Sequence, residues 1–494
     1  MNGKSYKLQE HTLYEIWKSQ NFINPPKTIT GEEILILDAG IYNNDTAGPD
    51  FKNARIRIGN LTFVGDIEID CNYSDWKIHG HHIDNKYSKV ILHAAFLNKN
   101  KHAFVYTRDG RKINSICLSE LLEKTFVENL FETKESNEHN DSNNLRCHFS
   151  LNKISQEQKE KYLYQLGASR FEKKCKKLFN RFKELQFLEE LKIKEPVVSY
   201  DLSQKFHNKQ FKQNDFVSKL IWQQLLYELI FEALGFTKNK NQMVSLAQYA
   251  NIKFLMKIEN DGVINEKLEA ALFNIAGLVH SLDSASDDAT KKYIERISLF
   301  WNSIRSMYDG KILAETDWHF FRLRPQNFPT IRIAGGVRIL HNLIHKNLIG
   351  MISKKIIEIN NLKSLANTLR SIFIVKADGY WKNHYIFDQT AKSEIKYFVG
   401  VSRADEIIVN VILPFFSVYF DLFGNAKISK KILTLYSEYE QRSENQIILD
   451  MGKSLELKQE LKRTIITQGA IELFRNFCSR NRCLECEIGK IVFN

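Results

Sequence analysis

Between residues 48 and 93 the chain gathers side chains that hold metal ions or carry protons: Asp50, Glu68 and Asp70, then His79, His81 and His93. Carboxylates within a few ångströms of one another repel unless a cation lies among them. Asp50 and Glu68 therefore predict a site for a hard divalent ion, Mg2+ or Mn2+. Imidazole binds metal or transfers protons near neutral pH, which makes the run His79-Gly80-His81-His82 chemically dense. Its spacing is not that of a zinc helix such as H-E-x-x-H, and the ordinary role of one such His is a surface hydrogen bond. His81 and Asp84, one helical turn apart, are the best local pair, and Asp75 suits a helix N-cap. Asp70 and His81 are the accessory catalytic candidates.

These residues need a scaffold. Gly59-Asn60 is a two-residue hairpin signal that pairs Ala54 with Gly65, Ile56 with Phe63 and Ile58 with Leu61. In that register Asp66, Glu68 and Asp70 project to one face, away from an apolar layer. Asp50 falls opposite Ile69, on the wrong face. A bulge between Phe51 and Asn53, or an irregular strand entry after Pro49, would turn its carboxylate toward Glu68. A helix over 11–20, a short strand at 34–37, a strand at 90–96 and a helical turn or two in the His-rich segment complete the frame.

Pro49-Asp50 on one strand and Glu68-Ile69-Asp70 on the next resemble the PD-(D/E)xK nuclease superfamily. The resemblance implies a restriction-endonuclease-like α/β domain, with Asp50 and Glu68 holding Mg2+ and a metal-activated water attacking a phosphodiester. It also implies a role for Glu15, which would match the extra acid many members carry on the first helix. Asp70 occupies the usual Lys position, so Lys77 or Lys86 would have to supply the positive charge; without one, the fold would bind but not cut. The run N-x-D-x-x-GPDF-x-x-ARI, then GDIEI, SDW, H-G-H and D-x-x-Y-x-x-VILH is similar to a bacterial family known as domain of unknown function 2851. That similarity extends through Arg170-Phe171-Glu172, RLRPQNFPTIRIA, Trp381-x-x-His384-Tyr385 and the terminal cysteines. It implies no activity.

The whole chain, 494 residues, is too long for one ordinary core. A multi-domain α+β protein is expected: a nuclease-like α/β domain over 1–131 with a mixed sheet and flanking helices, and a polar linker over 132–150. A mainly helical domain over 151–345 and a mixed, mostly helical region over 346–494 follow. In that last region IFIV and IIVNVIL look like strands, whereas Phe171–Lys194 and Val217–Leu234 look helical. The N-terminus has no apolar signal core, and Ile407–Phe420 is short and interrupted by Asn410 and Pro414, so a cytoplasmic chain that spans no membrane is expected. Lys+Arg number 70 against 58 Asp+Glu, a net charge of +12, which favours a polyanion partner, DNA first; an AT-rich genome would give the same Lys-rich composition.

Arg322, Arg324 and Arg332, interleaved with Phe320, Phe321 and Phe328, suit phosphates and unstacked bases. They equally suit a rigid proline-bounded connection whose arginines cap helices, and Arg170 with its following lysines reads as a solvated helix face. Cys478, Cys483 and Cys486 present thiols at metal-ligand spacing, and Cys147 is the candidate fourth ligand. Some helicase-linked nucleases of the same superfamily hold an iron-sulfur cluster with one early and three late cysteines, which the resemblance implies here; Zn2+ or free thiols remain open. Three functions stay in view. The first is a Mg2+-dependent nuclease acting on DNA. The second is a non-catalytic nucleic-acid-binding or scaffold protein on a degenerate nuclease fold. The third is a His-rich metal hydrolase that draws its ligands from His79, His81 or His93 and leaves Asp50 idle.

Overall fold

The computed structural model describes residues 10–20, 22–43, 48–123, 147, 151, 153–191, 205–320, 323–441, 446–457, 462–480 and 482–493. The chain divides into two compact units, Met1–Ser142 and Asn143–Asn494. Most of the expected linker over 132–150 lies outside the described residues. The architecture is α+β, a mixed sheet in the first unit and a mostly helical second.

In the first unit α1 (Glu10–Ser19) is followed by β1 (Ile34–Asp38), β2 (Ile41–Tyr42), β3 (Phe51–Ile58) and β4 (Leu61–Asn72). A one-turn helix, α2 (Asp75–Ile78), precedes β5 (Val90–Leu97), β6 (Phe104–Tyr106) and β7 (Lys112–Cys117). The sheet order is β1-β3-β4-β5-β7-β6, with β2 also pairing with β3. β3 and β4 form the antiparallel hairpin in the register its turn predicts, from Ile58 opposite Leu61 to Ala54 opposite Gly65. Beyond Ala54 the register shifts, and Phe51 pairs with Ile67. Two residues of β3 thus face one of β4. Asn53 takes a left-handed conformation (φ 55°), and its N–H donates to the Asp66 carboxylate at 3.1 Å.

β4, β5 and β7 run parallel, and such strands are covered on both faces. On one face Leu13, Ile16 and Trp17 of α1 pack with Phe51, Ile56, Ile67, Ile69 and Leu92. On the other, Trp76, Tyr87, Val90, Val105 and Ile113 make a smaller cluster. The hairpin tip departs from the expected apolar layer: Ile56 and Ile58 are buried, but Leu61, Phe63 and Val64 are exposed. β5 pairs with β4 only from Asp66 onward, so residues 61–64 extend past that neighbouring strand.

In the second unit α3 (Gln156–Glu190), α4 (Lys219–Leu234), α5 (Pro329–His345), α6 (Val401–Ile407), α7 (Leu413–Leu422), α8 (Thr464–Asn476) and α9 (Glu487–Phe493) matter here. α3 opens on a capping box between Ser155 and Gln158. One apolar core runs from Cys147 to Val492, across the position after 345 where the sequence suggests a boundary. The stretch IIVNVIL is not a strand. It continues α6 as one wider turn, Ile408–Ile412, into α7, and Ile408, Val409, Val411 and Ile412 are all buried. A helix enclosed on every side shows the same unbroken apolar run as a buried strand, so periodicity could not separate them. Of IFIV, Val375 alone enters a strand, a two-residue one with Lys376. No helix among the described residues is long and apolar enough to cross a membrane.

Candidate metal centre

Period-two alternation on β4 sends Ile67 and Ile69 into the core under α1 and Asp66, Glu68 and Asp70 to the opposite face. All three carboxylates are buried. The bulge at Asn53 brings Asp50 beside them. Its backbone N–H donates to Glu68 Oε2 at 3.2 Å, and its own Oδ2 accepts from the Ile69 N–H at 2.9 Å.

Parallel pairing supplies the next residues. His93 on β5 stands opposite Glu68, and Ser115 on β7 opposite His93. His93 is fully buried, with Nδ1 3.0 Å from Ser115 Oγ and Nε2 3.2 Å from Asp70 Oδ2. The turn after α2 then folds two imidazoles over the acids. His81 Nε2 lies 3.0 Å from Glu68 Oε1 and 3.8 Å from Asp70 Oδ1, and His79 Nδ1 lies 3.3 Å from Asp70 Oδ1. The Trp76 indole packs edge-on against both His81 and His93, and Tyr87 lies against His81 with ring centroids 4.1 Å apart.

One ligand atom each from Asp70, His79 and His81 lies within 4.8 Å of the others, the spacing of a metal-binding set. Buried carboxylates cost several kcal/mol unless compensated, and imidazoles compensate them when protonated or when sharing an ion. Asp70 is divided between two tasks, Oδ1 toward His79 and His81 and Oδ2 toward His93. Ser115 thus anchors His93, and His93 in turn fixes the Asp70 carboxylate.

Several expected residues stand elsewhere. Glu15 is on the exposed face of α1 and pairs with Lys18 at 2.9 Å, because Leu13, Tyr14, Ile16 and Trp17 claim the buried face. Asp84 accepts from the Lys86 N–H and does not reach His81. Asp75 accepts from the backbone and side chain of Asn72, so it closes the end of β4 and is not the N-cap. Lys77 is exposed on α2, whereas the Lys86 Cβ lies 3.7 Å from where a Cβ on Gly48 would stand, two residues before Asp50. Trp76 and Ser115 carried no signal in the sequence. An indole between two imidazoles and a hydroxyl behind a third become visible only once strands from distant segments align.

Residues 10–192 and 188–446 match the family model described as "Protein of unknown function (DUF2851)". The chain belongs to that family. No curated protein and no solved structure matches it. The family match spans both units, so the acidic and histidine cluster and the helical unit belong to one protein type.

The second unit brings Cys147 to the three late cysteines. Cys147 and Cys486 are buried, Cys478 and Cys483 half-buried, and all four are free thiols. Burial pushes Cys147 up to about 11, and Cys486 and Cys483 add to it. Burial likewise pushes Cys478 up to about 12, reinforced by Cys486, Cys147 and Cys483. Burial also raises Cys486, but its sulfur accepts from the N–H groups of Gly489 and Ile488 and from the Tyr162 hydroxyl. Lys159, buried with its ammonium on the Leu455 carbonyl at 3.1 Å, is the nearby positive charge acting on Cys147. Burial keeps these thiols protonated, and the described residues spaced to hold a metal ion are Asp70, His79 and His81, not the four cysteines.

Arg322 lies outside the described residues. Arg332 is buried in α5, where it donates to the Phe398 carbonyl and the Asn327 side chain, both at 2.7 Å. Arg324 is exposed. Arg170 is not a solvated residue: it is 18% exposed and bonds Gln468 and Glu472 of α8.

Proposed function

We propose that the first unit is a metal-dependent phosphodiester hydrolase acting on DNA. The observation that carries this reading is the convergence of Asp50, Glu68, Asp70, His79 and His81 on one end of the parallel strands. A divalent ion bound there would activate a water and polarise a phosphoryl oxygen. Asp70, His79 and His81 would hold the ion, with Glu68 beside them. Of Mg2+ and Mn2+, imidazole donors favour Mn2+. Asp50, fixed by the Ile69 N–H, completes the acidic wall, and Lys86, whose Cβ lies beside Gly48, is the lysine we assign to offset phosphate charge.

The arrangement blends the nuclease and His-rich readings. Histidines stand where the second places its ligands, while Asp50 meets Glu68 through its backbone N–H and keeps its carboxylate on the Ile69 N–H. Labelled single- and double-stranded DNA and RNA incubated with Mn2+ should be cut by the wild type, DNA in preference. Asp50→Ala, Glu68→Ala and Lys86→Ala should each lower the rate by about 100-fold or more. Folded protein that binds DNA but cuts nothing would instead favour the scaffold reading.

We propose also that the four cysteines hold an iron-sulfur cluster or Zn2+ as a structural staple. Protein purified without oxygen should carry about four irons and a brown absorption band, or about one zinc and no colour. Cys483→Ser should lose the metal. Metal-free wild-type protein after such purification would refute the staple.

A further inference from the structure

The second unit contains a cavity of about 1660 Å³ between α3, α4, α5, α6 and α8. Among the described residues ten Lys or Arg side chains line it against four Glu, so this wall is strongly positive. Part of that charge is neutralised locally: Arg170 and Lys173 both pair with Glu472, and Lys177 and Lys240 with Glu232. Deeper in the wall the compensation is longer-range, from Glu406 to Arg403 and from Glu406 and Glu472 to Lys174. Arg332 bonds only a carbonyl and an amide oxygen, and Lys174 bonds the amide oxygens of Asn410 and Gln468 at 2.6 and 2.9 Å. Arg403 donates to the Ala233 carbonyl. The Nε–H groups of Arg332 and Arg403 are buried without an acceptor, a cost of about 1–3 kcal/mol each.

Like charges are also held together. Burial presses Arg332 down to about 9, with the Arg403 charge adding to it, and desolvation followed by Arg170 presses Lys174 well below its usual range. Phe236 makes this possible. Its ring lies 3.2 Å from the Arg403 guanidinium carbon and 5.0 Å from that of Arg332. To reach that position its backbone adopts φ 52°, a left-handed conformation that costs a bulky residue about 1–3 kcal/mol. Orphaned donors and repelling cations at one place are both relieved by the same thing, an anion.

We propose that this cavity binds a phosphate-bearing polyanion, its phosphates on Arg332, Arg403, Lys174 and Arg475. Guanidinium forks match phosphate oxygens, and the volume accommodates more than one phosphate. Tyr385 and Tyr397 also line the cavity, side chains of the type on which an aromatic base stacks. The phosphates can come from a nucleic-acid strand or from a free nucleotide. The inference does not rest on hydrolysis by the first unit.

The test is fluorescence anisotropy of a labelled oligothymidylate on the full chain in EDTA, where no metal-dependent cutting occurs, with ATP and pyrophosphate as further ligands. The wild type should bind at least one of them, and Arg403→Gln should weaken that binding by about tenfold or more. Because Arg403 repels Arg332, ligand-free Arg403→Gln should melt no lower than the wild type, which a merely structural arginine would not allow. Lys396→Glu, at an exposed rim residue, gives a second variant whose folding is not at issue. Oligothymidylate binding that ATP fails to displace identifies a strand; binding of ATP alone identifies a nucleotide. No binding of any probe at about 1 mM, or equal binding by wild type and both variants, overturns the proposal.

Discussion

Asp70→Asn should abolish the rise in melting temperature that Mn2+ gives the wild-type protein. A ligand that binds only the folded state stabilises it by about 2.7 kcal/mol at a hundred times its Kd, so the wild-type shift is measurable by differential scanning calorimetry. Asp70 is singled out because it touches every imidazole of the cluster, His79 and His81 through Oδ1 and His93 through Oδ2. The amide keeps the shape and removes the charge, so the expected loss is electrostatic. His93→Gln should retain the shift but weaken Mn2+ by about 10–100-fold, the usual effect of removing an orienting partner. Ser115→Ala should follow His93→Gln at smaller amplitude. If Asp70→Asn still gains stability from Mn2+ as the wild type does, the metal is bound elsewhere and this centre is an ordinary buried ion-pair network.

Gly469→Ala should destabilise the second unit by about 3 kcal/mol or more, the high end for forced overpacking. α3 and α8 cross with backbones in contact. A Cβ on Gly469 would stand 1.9 Å from the Leu163 carbonyl oxygen, and one on Gly167 2.0 Å from that of Ile465. Backbone atoms cannot rotate away as a flexible side chain can, so the helices would have to separate. Arg170 and Lys173 of α3 reach Glu472 of α8 across the same contact, and Cys478 follows directly after α8. Separation would therefore disturb both the basic cavity and the cysteine cluster. Urea denaturation of Gly469→Ala and Gly167→Ala, followed by fluorescence, reads the effect; a change of under about 0.5 kcal/mol in both would show that the crossing adjusts freely.

The sequence by itself determined the local features whose physics is local. Gly59-Asn60 set the hairpin register, and period two set the face on which Glu68 and Asp70 stand. A mismatch of one residue at Asp50 demanded a bulge, which the chain forms at Asn53. The spacing of Cys478, Cys483 and Cys486 was legible for the same reason, whereas Cys147 was suggested by its place in the chain and by the resemblance.

Tertiary structure decided the rest, because it depended on strands and helices far apart in the chain. His93 and Ser115 meet Asp70 only through two parallel pairings, and parallel register leaves no trace in a turn. His81 prefers Glu68 over its near neighbour Asp84 because the one-turn helix ends at Ile78 and the chain then turns over the sheet. Glu15 was lost for the opposite reason, since α1 has one buried face and apolar residues fill it. Arg170, one residue on a charged helix when read alone, became part of a cavity wall when α8 packed across it. Desolvation, which turns surface charge into a site, belongs to the packed molecule and not to the chain.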